Sequence, residues 1–298
     1  MKKYGLFLGC NIAFNRPDVE VSMRKVFPAF GIELDNLDGQ SCCPTWGTMP
    51  SVDLVGWCAV AARNLALGEE KGIDLITACN TCYSSLCEAR HKILTDEKLY
   101  KKVNEVLSKI GKKYQGKSKC RHIAWVLYED IGLEKIKEKL KYRLDGMRIA
   151  VQPGCHFLWP SESLTEKEED PFNPVILRNL CEALGAKAPY YSRLIDCCGA
   201  GALKSTSPEK ALKLAESKFK SIEEEVKADL IVTTCSSCMI QLDESQQKLK
   251  KMGKLKKEIP VFHYIQILAI CMGFDPKKVA GICITPRDKI IRKILEEK

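Results

Sequence analysis

The sequence predicts an α/β protein of two similar lobes, each a mainly parallel sheet with flanking helices. One cysteine pattern occurs twice, in the same order and with nearly equal gaps. Short apolar runs of strand length end at these cysteines, and helical patterns separate them. The first copy is Cys10, 31 residues, Cys42-Cys43, 35 residues, then Cys79-x-x-Cys82. The second is Cys155, 41 residues, Cys197-Cys198, 36 residues, then Cys235-x-x-Cys238. The neighbours repeat as well: Gly9-Cys10 matches Gly154-Cys155, and Asp74-Leu75-Ile76 matches Asp229-Leu230-Ile231.

Taken in order, residues 4–8 read as a buried strand running into a Gly-Cys turn, and residues 52–70 as a helix. Residues 75–78 read as a strand that delivers Cys79-x-x-Cys82 to a loop or helix start. A charged helix pattern from Glu134 closes the first half, and the boundary falls within residues 141–146, giving lobes 1–145 and 146–298. Residues 147–152 and 230–234 repeat the two strands, and residues 208–227 repeat the helix, with Pro208 in its first turn and Ser207 as N-cap. Residues 161–170, rich in Glu and Ser, read as an exposed loop whose length explains most of the difference between gaps of 31 and 41. Cysteines at strand C-terminal ends stand where open α/β sheets carry their sites.

Composition narrows the function. The 298 residues are 45% hydrophobic and 29% charged, which excludes disordered and low-complexity chains. Lys2-Lys3 and the following apolar run mimic a short signal peptide, but that run is shorter than the about 7–15 residues of a signal core. No stretch reaches the about 18 apolar residues of a membrane span; the longest candidate, residues 261–273, contains His263 and Gln266. The expected location is the cytoplasm, where thiols stay reduced, so the 16 cysteines read as metal ligands, redox groups or core residues. The net charge of +9 is concentrated in Lys248, Lys250, Lys251, Lys254, Lys256 and Lys257, a solvated helix end and loop or a docking surface for an acidic partner. No basic stretch interleaves with stacking aromatics, so nucleic acid is not expected as a partner.

Adjacent cysteines carry chemical information. Their Cα atoms lie about 3.8 Å apart, whereas a disulfide wants about 4.4–6.8 Å, so a Cys42–Cys43 bridge is strained. One zinc ion needs four ligands in tetrahedral array, which two adjacent thiolates satisfy awkwardly. A polynuclear cluster removes the difficulty, and Cys-x-x-Cys with Cys10 or Cys155 completes the set. Ordinary iron–sulfur clusters use four cysteines and each half has five, so either one is spare or the cluster is not a simple cubane. The copies differ after the adjacent pair: Pro44 has no N–H to offer a sulfur, Gly199 has one, and the two sites should differ in potential. Of the other cysteines, Cys58, Cys120, Cys181, Cys271 and Cys283 read as core filler, with Cys87 the best exception.

With the pattern assembled, the chain resembles the heterodisulfide reductase B-subunit family of methanogenic archaea and its paired CCG domains. The resemblance rests on the doubled cysteine motif and on Cys42-Cys43-Pro44. It implies two noncubane [4Fe-4S] clusters, one held by Cys10, Cys42, Cys43, Cys79 and Cys82, the other by Cys155, Cys197, Cys198, Cys235 and Cys238. It implies reduction of the coenzyme M–coenzyme B heterodisulfide to two thiols. The alternative is an iron–sulfur electron-transfer subunit of a hydroxy-acid oxidase or quinone-linked reductase. His156, beside Cys155, is the candidate proton donor; His263 reads as a core histidine. Arg16, Arg193 and Lys204 lie near cysteine motifs as candidate contacts for an anionic disulfide, and Gly199-Ala200-Gly201 as backbone donors. No Gly-x-Gly-x-x-Gly fingerprint is present, so electrons come from partners. The resemblance implies a ferredoxin-like C subunit and a flavin and iron–sulfur A subunit, linked to hydrogenase or formate dehydrogenase. Residues 261–272 or the basic run before them are the candidate interface.

Overall fold

The computed structural model describes residues 2–45, 47, 49–164 and 169–296. A four-stranded parallel sheet has the order β2-β1-β3-β4, with β1 Lys2–Leu6, β2 Ile32–Asn36, β3 Asp74–Thr77 and β4 Cys120–His122. A three-stranded parallel sheet follows in the order β5-β6-β7, with β5 Ile149–Gln152, β6 Leu230–Thr233 and β7 Val261–His263. The expected strands are all present. The first is displaced: Phe7 N–H still donates to the Ile76 carbonyl (2.9 Å), but Phe7 and Leu8 leave the sheet because Gly9 turns the chain at φ 59°. Strands β5, β6 and β7 correspond to β1, β3 and β4. The counterpart of β2 survives as one parallel bridge between Arg148 and Lys187.

The principal helices are α1 Pro17–Ala29, α2 Leu54–Lys71, α3 Asn80–Thr95, α4 Ile176–Ala183, α5 Pro208–Ser221, α6 Ser236–Lys251 and α7 Tyr264–Cys271. Helix α2 starts at Asp53, whose carboxylate accepts from Gly56 N–H, and stops at left-handed Gly72. Ser207 does occupy the N-cap position of α5, but its side chain makes no capping bond; Pro208 at the first helical position already removes one of the donors a cap would satisfy. Within residues 161–170, positions 161–164 form a short helix and Glu169 is buried, so an exposed loop describes neither end; positions 165–168 lie outside the described residues.

The halves interlock. Helix α1 packs on α7 and on Pro276–Ala280, and α3 packs on Cys155–Leu158 and Ser161–Leu164. Phe7, Phe27, Trp57, Phe157, Phe219 and Phe262 are fully buried in one continuous core. Residues 261–271 are buried too, which removes them as a partner interface: they are the core of the second half. Arg16 is likewise not a surface cation. It pairs with Asp18 (3.0 Å; both side chains about 4% exposed or less), and its guanidinium reaches the Ile282 carbonyl. Asp18 also accepts from Gln266 Nε2 (2.7 Å) and Ile282 N–H (3.3 Å), both in the other half. Asp18→Ala leaves this guanidinium buried without its anion, so it should lower stability by about 3–5 kcal/mol, read as a fall in denaturation midpoint at unchanged m-value.

Candidate metal centre

Each cysteine set is assembled from equivalent backbone features. Cys79 and Cys235 take extended dihedrals as N-caps of α3 and α6, directly after β3 and β6. Cys82 and Cys238 follow in the first helical turns. Neither first turn contains an acidic side chain, so the positive helix end faces thiolates alone. Cys10 and Cys155 come from the turns after β1 and β5. Gly9 and Gly154 precede them with φ of 59° and 84°. A Cβ on Gly9 would stand 2.6 Å from Cys82 Sγ; on Gly154 it would stand 3.4 Å from Cys238 Sγ and 2.5 Å from Asn80 Nδ2. The repeated Gly-Cys therefore records a sulfur lying where a side chain would begin.

The thiols of the ten expected cysteines interact electrostatically in one unbroken series, in the order Cys10, Cys42, Cys43, Cys82, Cys79, Cys235, Cys238, Cys198, Cys197, Cys155. The order is palindromic, and the halves join at Cys79 and Cys235. Cys198 and Cys238 stand 3.2 Å apart, sulfur to sulfur. Contacts of this kind favour a thiolate at Cys43, Cys79 and Cys197 and push the other seven thiols up. Hydrogen bonds from Cys42 and Cys82 draw Cys43 down to about 5, and those from Cys155 and Cys198 draw Cys197 down to about 2. Cys10, Cys43, Cys79 and Cys82 of the first set and all five cysteines of the second line two adjoining cavities of about 180 and 190 Å³, and Cys42 stands outside the first. Thr45, Thr81, Ala200, Gly201 and Ser237 line both. Among the described residues, no group of three His, Cys, Asp or Glu side chains converges as a single-ion site requires. Four or five thiols spread around each cavity, with a fifth adjacent in the first set, fit a polynuclear iron–sulfur group better than one zinc ion.

The two sets are not identical. Gly199 N–H donates to Cys197 Sγ (3.3 Å), a bond Pro44 cannot make in the first set, where its carbonyl instead accepts from Trp57 Nε1 (2.8 Å). Ala200 N–H serves Cys198. Helix α5 carries fully buried Lys218, whose ammonium donates to the Arg193 and Leu194 carbonyls just before Cys197. Burial pushes Lys218 down to about 8, while the Cys198, Asp196, Cys238 and Cys197 charges pull it back up. On α2 the corresponding loop is held by neutral Asn64, which binds Ser41 N–H (2.9 Å) and the Cys42 carbonyl (3.1 Å). The first set is also the more open, with Cys10 and Cys42 exposed.

Other candidates separate cleanly. His156 lines the second cavity, and burial pushes it down to about 4, so its ring is neutral at pH 7. Lys204 lines the first cavity and pairs with Glu244 (2.7 Å). Arg193 lines neither; it pairs with Asp196 (2.7 Å) at the surface. Cys58, Cys120, Cys181 and Cys271 are buried core residues, whereas Cys283 is half-buried. Cys87 lies outside the chain of ten and donates to the Cys120 carbonyl (3.4 Å). In the basic run, Lys250 and Lys254 pair with Glu258 and Glu216, as a solvated helix end does.

A chain of this build is a tandem cysteine-rich-domain protein: the model of the CCG cysteine-rich domain matches residues 4–87 and again residues 149–243. A protein of Archaeoglobus profundus described as like the heterodisulfide reductase B subunit is 72% identical over all of both chains. The B subunit of the ferredoxin:CoB-CoM heterodisulfide reductase of Methanosarcina mazei is 35% identical, covering 94% of this chain and 92% of its own. The chain belongs to this heterodisulfide reductase B-subunit family of oxidoreductases, whose cysteine-rich domains imply iron–sulfur clusters. The 8-methylmenaquinol:fumarate reductase membrane anchor subunit of Wolinella succinogenes is 30% identical, covering 93% of this chain and 95% of its own. Among the described residues no helix is long and apolar enough to cross a membrane. A hypothetical protein from Helicobacter pylori shares the fold, with a TM-score of 0.71 at 17% identity over 94% of this chain and 51% of that one.

The sequence reads His263 as a core residue and gives no signal for His122. Both are fully buried, and burial pushes them down to about 4 and about 3. An unfolded histidine titrates near 6.5. The folded state refuses protons that the unfolded chain accepts, so stability is intact above pH 6.5 and falls as pH drops toward 4. The slope is at most about 1.4 kcal/mol per pH unit for each ring. A urea midpoint series from pH 7.5 to 4.5 should show this fall, and His122→Asn with His263→Asn should make it shallower, leaving the part that buried His156 contributes.

Proposed function

We propose that residues 1–145 and 146–298 each bind one noncubane [4Fe-4S] cluster and that together they reduce a coenzyme M–coenzyme B heterodisulfide. The ligands are Cys10, Cys42, Cys43, Cys79 and Cys82 in the first half, and Cys155, Cys197, Cys198, Cys235 and Cys238 in the second. One observation carries the reading: the palindromic run of ten cysteines that meets at Cys79 and Cys235, beside two cavities with a common wall.

The overall reaction takes one disulfide, two electrons and two protons to two thiols. The clusters, when bound, supply the two electrons. The chain's own residues do the rest. Thr45, Thr81 and Ser237 on the common wall hold the S–S bond between the cavities. Lys204 meets an anionic arm of the substrate by exchanging its Glu244 partner. The imidazole N–H of His156, on the wall of the second cavity, is the proton donor. Electrons enter at the open first set from a ferredoxin-like C subunit, itself served by a flavin and iron–sulfur A subunit and, behind it, hydrogenase or formate dehydrogenase. The complex works in the cytoplasm. The fumarate reductase relative favours a second reading, an iron–sulfur electron-transfer subunit of a quinone-linked reductase.

Anaerobically prepared chain should contain about eight irons, since each [4Fe-4S] cluster contributes four, and lose its colour on chelation. It should reduce the mixed disulfide with a viologen donor. Cys43→Ser or Cys198→Ser should each cut turnover by at least about 10–100-fold; retention of turnover after either change sinks the paired-cluster reading, and turnover only with a quinone favours the second. Potentiometric titration should resolve two waves. The second-half wave should be the higher, because the Gly199 N–H and the Lys218 ammonium stabilise added negative charge there.

A further inference from the structure

We propose that His122 and His263 are positioning residues that work crosswise, each lobe's histidine fixing the other lobe's Cys-x-x-Cys. The inference rests on the reading that the cysteine sets hold iron–sulfur clusters, but its geometry does not.

Each histidine ends the last strand of its own lobe, His122 in β4 and His263 in β7. Each caps the helix that follows: His122 Nδ1 accepts from Ala124 N–H (3.1 Å), and His263 Nδ1 from Ile265 N–H (3.3 Å). A neutral ring whose Nδ1 accepts carries its proton on Nε2. That proton is donated across the lobe boundary, from His122 Nε2 to the Thr234 carbonyl (3.1 Å) and from His263 Nε2 to the Ala78 carbonyl (2.9 Å), the Thr234 carbonyl of its own lobe being a lesser second partner of His263. Thr234 immediately precedes Cys235, and Ala78 immediately precedes Cys79. The acceptors are therefore the peptide groups that carry the two cysteines at the midpoint of the sulfur chain.

The arrangement is closed on every side. Both rings are fully buried, so each nitrogen has to be satisfied within the protein. Tyr83 and Phe157 pack on His122 with ring centroids 5.5 and 5.0 Å away, which holds the imidazole on line. Asn80 adds a third crossing, donating from Nδ2 to the Pro153 carbonyl (2.5 Å). A helix cap needs only Nδ1. The second nitrogen, aimed twice at the same relative position in the opposite lobe, sets the separation of Cys79 and Cys235, and through them of the two cavities.

The test uses the full-length, iron-loaded chain. Asn at an N-cap still accepts from the first-turn amides but is too short to reach the other lobe. His122→Asn should change the EPR signal and potential of the second-half cluster, and His263→Asn those of the first-half cluster. Cys198→Ser and Cys43→Ser identify which signal belongs to which half. In parallel, amide hydrogen exchange should rise at residues 234–238 in His122→Asn and at residues 78–82 in His263→Asn. Gln, longer than Asn, should restore the crossing donor and the parent spectrum; Ser, which also caps a helix but is shorter still, replaces Asn should that variant fail to fold. Changes confined to the histidine's own lobe, equal changes in both lobes, or none would overturn the proposal. A parent chain without iron signals instead sinks the cluster reading, and hydrogen exchange alone then decides the crosswise arrangement.

Discussion

The contact between Cys79 and Cys235 is the constraint to which the remaining structure answers. For these two residues to meet, the C-terminal ends of β3 and β6 have to face one another with α3 and α6 leading away. That placement turns two helix N-termini, each free of acidic side chains, toward a shared space. It also brings two strand ends together where their backbone carbonyls would lose water, and buried side chains answer that cost: His122, His263 and Asn80 all reach peptide groups of the opposite lobe. The Arg16–Asp18 pair and its links to Gln266 and Ile282 tie the lobes at a second place. A pair of separately folding domains joined by a linker needs none of these.

Much of this was legible in the sequence because cysteine and glycine are informative when they recur at matched gaps. The Gly-Cys dipeptides, the adjacent pairs and the Cys-x-x-Cys motifs mark the turns, loops and helix starts that the structure places together. Pro44 against Gly199 marked a real difference, seen as the Gly199 N–H on Cys197. The histidine crossing was not legible for a definite reason. His122 lies 40 residues beyond Cys82 and His263 lies 25 beyond Cys238, so the repeat loses its register before reaching them. An isolated His in an apolar run gives no indication of which lobe its second nitrogen serves. Arg16 misled for the converse reason: a basic residue near a cysteine in sequence reads as available, and only tertiary contacts reveal that Asp18 has claimed it. Residues 261–271 misled because an apolar stretch reads equally as core or as interface.

The halves have diverged around a common plan. The second sheet has reduced β2 to one bridge between Arg148 and Lys187. Lys218 and Asn64 do the same structural work, holding the loop before the adjacent cysteines, but one brings a buried charge and the other does not. A buried ammonium is costly unless its surroundings compensate, and here carbonyls and neighbouring sulfurs do so. The asymmetry lies behind the cysteines, while the cavity wall common to both sets is built from residues of both halves.

A cysteine touching its own repeat-mate, flanked by a histidine bond and its mirror image, is the signature of an isologous interface, in which one surface recognises itself about a two-fold axis. The tandem chain thus has the geometry of a homodimer within one polypeptide. In a homodimer every substitution appears on both sides of the axis, whereas here the two sides can be altered one at a time, as the lysine behind one sulfur set and the asparagine behind the other are.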